Sequence, residues 1–386
     1  MKQAEVLLLQ LEKQQSLQLP WVIYKLPHSN QIAVFLEENV VLTTEERIKS
    51  QSKRFVFAPF DTDTHLEKTL YVNADQTIEF PLEEVLANPC QVLKSQQNSV
   101  SEKSKEIHIN RVANAIDFLK KNHHEKVVIS SRFELQETPK LFPETLYKKL
   151  EVFYKACITY PNTFTYLIFH PQIENTWIGA SPELLLRKEG KQITSVALAG
   201  TRGFSNKNDV KNQHKSNDKT SGVAPWSTKN IEEQDAVTQY ISSIFKKYAK
   251  DITVSDKSNF GIGKLSHLIN TFTAELIDTV SKNSIYDLVQ ELHPTPAVCG
   301  FPTKLTKEFI LKNELHQRKY YSGYLGIEDL TRKDLEYYVN IRCAEMSTLN
   351  KQIYLYAGGG ITTQSKPENE WQEALAKAHI MGDCFM

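Results

Sequence analysis

Strand-like and helix-like segments follow one another along this chain without the regular strand–helix–strand beat of a doubly wound parallel sheet. That irregular order predicts an α+β fold. Runs rich in β-branched and aromatic residues at Lys126–Ser130, Thr163–Phe169, Gln192–Leu198, Tyr337–Cys343 and Gln352–Ala357 read as strands. Apolar residues at helical spacing predict helices over Glu144–Tyr154, Ile231–Tyr248, Ser284–Leu292 and Glu368–Ala378, and another through Ile109, Val112, Ala113, Ile116 and Leu119. Before residue 100, a short amphipathic helix at the N-terminus precedes apolar runs such as Gln31–Leu36 and Arg54–Phe57, which suit antiparallel strands. The polar stretches Lys94–Lys105 and Phe204–Asn230 read as loops, the second either a solvated loop or a lid over a site.

With 386 residues, 40% of them hydrophobic, the chain can bury one large core or two ordinary ones. Lys+Arg and Asp+Glu both number 46, which argues against a nucleic-acid partner but leaves room for an anionic small molecule. Five scattered cysteines without a CxxC spacing read as reduced thiols of a cytoplasmic protein. No apolar run approaches the roughly 18–20 residues of a membrane span, so a soluble protein without a membrane partner is expected.

Three features invite a chemical reading. In the helix Glu368–Ala378, Trp371, Ala374, Leu375 and Ala378 form an apolar stripe, with Glu370, Glu373 and Lys377 along its edge. Two carboxylates so placed can reach a hard cation such as Mg²⁺; a surface pair between Glu373 and Lys377 explains the same pattern. In the helix from Ile231, the stripe Val237, Ile241, Ile244 turns Glu233 inward and Glu232 outward, although first-turn acids also suit the helix dipole. Leu355–Ile361 reads as a strand running into a glycine turn whose amides suit a carboxylate or phosphate, or as a plain turn. It is neither a P-loop nor a dinucleotide fingerprint.

The segments KVVISSR (126–132), GASPELL (179–185), ALAGTR (197–202) and LHPTPA (292–297) recur in a fixed order. They are followed by Glu314, Arg318 and Tyr321–Gly323, then NIR (340–342), AGGGI (357–361), and EWQE (370–373) with Lys377. In this order they resemble the chorismate-binding enzyme family of isochorismate, salicylate, anthranilate and aminodeoxychorismate synthases. The resemblance covers residues 105–386, leaving 1–104 as a variable N-terminal part. It implies a single large α+β domain of antiparallel sheets packed face to face, with outer helices and a deep cleft. It implies Mg²⁺ as cofactor, held by Glu233 and Glu373 with Glu370 close by, and chorismate as substrate. Arg342 and Tyr321 would grip the enolpyruvyl carboxylate, the guanidinium as a fork. Gly200, Thr201, Gly358 and Gly360 would give backbone and hydroxyl contacts. Ala297 and His293 would stand near the ring, and Lys377 beside the metal-bound carboxylate.

Within the family the matches point to the isochorismate branch, serving menaquinone or siderophore synthesis, with salicylate synthase as the alternative. Lys126 matches the general base and Glu183 the general acid. The lysine must then be neutral, its pKa brought from about 10.4 towards about 7–8, and the glutamic acid protonated, raised from about 4.3 towards about 6–7. Ala199 stands where aminodeoxychorismate synthases carry a lysine nucleophile, so no amidotransferase partner is expected. Two positions depart from the family's pattern: Gln234 follows Glu233 where a histidine is common, leaving a group that can hydrogen-bond to a neighbouring carboxylate but cannot titrate; and the glycine run is Gly358-Gly359-Gly360 rather than Gly-Ala-Gly.

Overall fold

The computed structural model describes residues 3–38, 52–63, 66–85, 102–135, 141–173, 175–203, 225–277 and 282–386. Its strands are β1 (Trp21–Lys25), β2 (Gln31–Leu36), β3 (Lys53–Ala58), β4 (Leu70–Asn73), β5 (Gln76–Pro81) and β6 (Lys126–Glu134). They continue with β7 (Phe164–Phe169), β8 (Thr176–Ser181), β9 (Leu184–Glu189), β10 (Gln192–Gly203), β11 (Ala249–Val254) and β12 (Ser258–Ile262). The last six are β13 (Leu265–Leu276), β14 (Gly300–Phe301), β15 (Tyr324–Asp329), β16 (Asp334–Val339), β17 (Cys343–Ser347) and β18 (Gln352–Ile361). The described α-helices are α1 (Gln3–Ser16), α2 (Glu102–Asn122), α3 (Leu146–Thr159), α4 (Thr228–Tyr248), α5 (Lys282–Leu292), α6 (Thr303–Asn313) and α7 (Pro367–Gly382), with short 3-10 turns at Leu82–Glu84 and Asp383–Phe385.

The strands form two antiparallel sheets. One runs in the order β14-β6-β18-β17-β8-β7-β1-β2-β5, the other β11-β13-β10-β9-β16-β15-β3-β4, with β12 also on β13. Side-chain alternation builds the layers. Val22 and Tyr24 of β1 enter one core with Phe55 and Phe57 of β3 and Tyr338 of β16, whereas Trp21 and Ile23 enter a second core with residues of α1, α3 and α7. Phe164 of β7 stacks on Tyr338 across the sheets at 4.7 Å between ring centroids. The sheets therefore pack face to face with helices outside, the architecture the resemblance implies. Helix α4 lies on β10 and β13, and α2 and α6 flank β6. Strands β1, β2 and β5 belong to one sheet and β3 and β4 to the other, so these five strands do not form a separate layer.

Three local expectations are corrected. The run expected as one strand over Tyr337–Cys343 is two: β16 ends at Val339 in one sheet and β17 begins at Cys343 in the other. Every residue from Tyr337 to Cys343 is buried, polar Asn340 and Arg342 included, so burial runs unbroken across the crossing and hides it. The glycine run is not a turn, because Gly358, Gly359 and Gly360 stay in β18, paired with Ser130, Ile129 and Val128 of β6. Residues 102–105 and 228–230, expected in loops, open helices α2 and α4; 94–101 and 204–224 lie outside the described residues.

Candidate active site

Where β6 and β18 of one sheet approach β10 and β13 of the other, a cavity forms. Its walls include Lys126 and Val128 of β6, Glu183, Leu198–Thr201 of β10, Glu233 of α4, His267 of β13, Ala297 and Val298, and Tyr321. Ile341 and Arg342, Gly358 and Gly360, and Glu373 and Lys377 of α7 complete it. Twelve of the fourteen residues singled out from sequence thus share one cavity. It encloses about 60 Å³, against the ~300–1,000 Å³ typical of small-molecule sites, so the side chains crossing it must swing aside for a ring-sized ligand.

Strand pleating sets Lys126 and Val128 on the cavity side, while Val127 and Ile129 join a core with α2 and α6. Burial lowers the Lys126 pKa; the charges of Lys377 and Lys229 push the same way, against Glu233 and Glu183. Glu183, between β8 and β9, is almost fully buried, and its carboxyl accepts from Thr295 Oγ1 at 3.4 Å. Burial raises its pKa to about 7 against the nearby cations Arg342, Lys126 and Lys377.

The crossing between the sheets puts Arg342 at the cavity, with φ +53°. Its Nη2 donates to His267 Nε2 at 3.0 Å, which leaves Nδ1 as the protonated nitrogen donating to Gly200 O at 2.9 Å. Burial and then the Arg342 charge hold His267 well below the usual histidine pKa, so the ring stays neutral. The neighbouring β-bulge between Ala199 and Thr201 turns on Gly200 at φ +65°, where an added Cβ would meet Asn230 O at 2.9 Å. His267 was not singled out from sequence: it sits within β13, which carries no motif and was not expected as a strand.

Glu233 is buried and Glu232 exposed, as the helical stripe requires. Lys377 Nζ donates to Glu373 Oε1 at 2.6 Å and to Gly358 O at 3.0 Å, so the surface-pair reading of Glu373 and Lys377 holds as a contact, yet the pair lines the cavity. Burial raises Glu370 above the usual carboxylate range; Glu373 stays below it because Lys377 and Lys229 outweigh the same effect. Lys229, also unforeseen, lies one helical turn before Glu233 and donates to Glu370 Oε1 at 2.5 Å. Glu370 itself stands behind the cavity rather than in its wall.

These acids surround the glycine run. A Cβ on Gly359 would lie 3.4 Å from both Glu370 Oε2 and Glu373 Oε1, and one on Gly360 would lie 2.7 Å from Glu233 Oε1 and 2.5 Å from Lys126 Cε. Among the described residues no three His, Cys, Asp or Glu side chains converge as a ready metal cage. The donor set nevertheless fits a hard divalent ion, because buried Glu233 Oε1 and Glu370 Oε2 have no hydrogen-bond partner. Mg²⁺ is commonly held by one or two carboxylates, with water and substrate oxygens filling its other positions.

Two placements differ from expectation. His293 does not line the cavity: its Nε2 meets Phe60 O at 3.2 Å and its ring packs edge-on against Tyr324, so Thr295, two residues on, makes the contact to Glu183 instead. Gln234 does not reach a neighbouring carboxylate. It accepts from Ala199 N at 2.8 Å and donates to Ala197 O and Asn270 Oδ1, pinning α4 to the β10 strand beside the bulge.

A family described as "Chorismate binding enzyme" matches residues 26–385. Isochorismate synthase DhbC of Bacillus subtilis is 37% identical over 207 residues, 53% of this chain and 49% of the relative, so the match spans about half of that protein. The vibriobactin-specific isochorismate synthase of Vibrio cholerae is 26% identical across 84% of this chain and 76% of its own length. The fold is shared with the putative 2,3-dihydroxybenzoate-specific isochorismate synthase of Bacillus anthracis, at TM-score 0.73 and 23% identity over 94% and 95% of the two chains. It is also shared with anthranilate synthase component I of Streptococcus pneumoniae, at TM-score 0.65 and 16% identity over 94% and 89%.

Proposed function

Given that the chain belongs to the chorismate binding enzyme family, we propose that it is an isochorismate synthase, adding water at C2 of chorismate as the C4 hydroxyl leaves. The observation that carries this is the pair Lys126 and Glu183, which line one buried cavity with their pKa values displaced in opposite directions. A base must be neutral and an acid protonated near pH 7, and burial favours both uncharged forms. Lys126 takes the proton of the attacking water, and Glu183 gives one to the departing hydroxyl. One water enters and one leaves, so the net change is an isomerisation.

Arg342, its fork steadied by His267, and Tyr321 hold the enolpyruvyl carboxylate. Gly200, Thr201, Gly358 and Gly360 line the ring's path, with Ala297 on the wall. Glu233 and Glu373, backed by Glu370, would hold Mg²⁺, which supplies a fixed positive charge for the ring carboxylate. Lys377 stands beside that group. Two observations favour water as the nucleophile: cavity position 199 carries a methyl group and not a lysine amine, and Lys126 stands in the cavity as a base for water. The product suits either a menaquinone or a siderophore route, and no amidotransferase partner is needed.

The test is to incubate purified protein with Mg²⁺ and chorismate, without ammonia, and to separate the products chromatographically. Isochorismate is expected. Salicylate with pyruvate would move the assignment to a salicylate synthase; no conversion, or anthranilate in a parallel reaction supplied with ammonium, would overturn it.

A further inference from the structure

Glu314 and Arg318 are nearly fully buried but take no part in the cavity wall. They lie behind it, where β6 loses a neighbour: β14 pairs only with Lys126 and Val127 and Val128 N still donates to Cys299 O at 2.9 Å, but Val128 O and both backbone groups of Ser130 face away from β18 with no strand opposite. Side chains fill that place. Arg318 Nη2 donates to Val128 O at 2.9 Å, and Glu314 Oε1 accepts from Ser130 N at 2.7 Å and from Ser130 Oγ at 3.0 Å. Arg111 Nη1 donates to Ser130 O at 3.2 Å.

The same guanidinium reaches another wall, because Arg318 Nη1 donates to Val298 O at 2.8 Å. Glu314 pairs with one edge of the fork, accepting from Arg318 Nε at 2.8 Å and from Nη2 at 2.7 Å, while the two carbonyls hold the fork's plane. The guanidinium also lies over the Phe60 ring at 4.4 Å, and Tyr321 N donates to Arg318 O at 2.9 Å. One planar group thus ties together β6, which carries Lys126, the Ala297–Val298 wall, and the segment leading to Tyr321.

We propose that Arg318 is a positioning residue for turnover: its forked guanidinium sets the spacing between the Lys126 strand and the Ala297–Val298 wall. The proposal rests on the isochorismate synthase reading. A misplacement of about 1 Å can cost on the order of 10²-fold in rate. Lysine keeps the positive charge facing Glu314 but, as a point donor, cannot hold both carbonyls in a fixed plane.

The test compares Arg318→Lys with Glu314→Gln. Arg318→Lys should lower kcat by roughly 10²-fold with KM for chorismate little changed. Glu314→Gln leaves both carbonyl bonds of Arg318 available, so it should lose thermal stability but keep most of kcat. Folded Arg318→Lys with wild-type kcat overturns the proposal; so do equal losses of kcat in the two variants, which would reduce the role to a generic buried ion pair. Amide hydrogen exchange serves as a readout that needs no turnover. Arg318→Lys should speed exchange in the 126–130 and 295–299 segments together, and Glu314→Gln in the first alone. Unchanged exchange in Arg318→Lys overturns the brace, whereas wild-type protein that leaves chorismate unchanged counts against the functional reading instead.

Discussion

Replacing Glu183 by glutamine removes a proton donor while keeping its shape, and the structure predicts opposite effects on rate and stability. The carboxyl is almost fully buried, and burial raises its pKa to about 7 from an ordinary 4.5. A displacement of that size corresponds to about 3 kcal/mol between the charged and uncharged forms. The sign follows from the direction: the stability contributed by the neutral carboxyl is fully present below pH 4.5 and is lost as pH rises through about 7. Glutamine is neutral throughout and escapes that loss. Glu183→Gln should therefore melt close to wild type at pH 5 and increasingly above it towards pH 8.5, by up to about 3 kcal/mol. Turnover should move the other way, falling by about 10²–10⁴-fold because the departing hydroxyl has no acid. Wild-type kcat should decline above pH 7 as Glu183 ionises, and that limb should be absent from the variant's residual rate. The assays are product chromatography across pH and thermal melting of both proteins in the same buffers. A variant within tenfold of wild-type kcat, or a melting difference that does not widen with pH, would refute the assignment of Glu183 as a buried acid.

Removing a carboxylate proposed to hold Mg²⁺ should act on cation affinity. Glu373→Ala and Glu233→Gln should each abolish measurable Mg²⁺ binding by titration calorimetry while the fold melts cooperatively, and unchanged binding would refute the ligand assignment. Gly360→Ala should strike the base and an acid at once, because its Cβ would lie 2.5 Å from Lys126 Cε and 2.7 Å from Glu233 Oε1. A kcat loss on the order of 10²-fold is expected, since the lysine must shift; kinetics at wild-type level would mean that neither side chain is held where the structure puts it.

What could be read from the sequence were the features decided within a few residues. Helical spacing separates Glu233 from Glu232 because a step of one residue turns a side chain by about 100°, and burial follows that geometry. It also puts Glu370 and Lys377 beside the apolar stripe, where both are buried. The glycine run reads as a turn in sequence because three glycines lack the side chains that mark a strand. In the fold their smallness serves the strand itself, giving Lys126, Glu233, Glu370 and Glu373 room against its backbone. Local pattern holds no record of what approaches from another element.

The same limit explains His267 and His293. One histidine stood in a motif and the other did not, yet the unmarked one meets the cavity and the marked one packs on Phe60 and Tyr324. His267 is brought to Arg342 by the pairing of β13 with β10 and by the chain's crossing from β16 to β17, contacts that join residues 75 positions apart. That crossing is hidden because the chain stays buried from Tyr337 to Cys343 as it leaves one sheet for the other, and there Arg342, with its left-handed backbone, reaches the cavity. Arg342 and Tyr321, the cavity residues proposed to hold a substrate carboxylate, could be named from sequence. The neutral imidazole that aims one of them depends on which nitrogen faces Gly200 and which faces the guanidinium, and only the assembled sheets decide that.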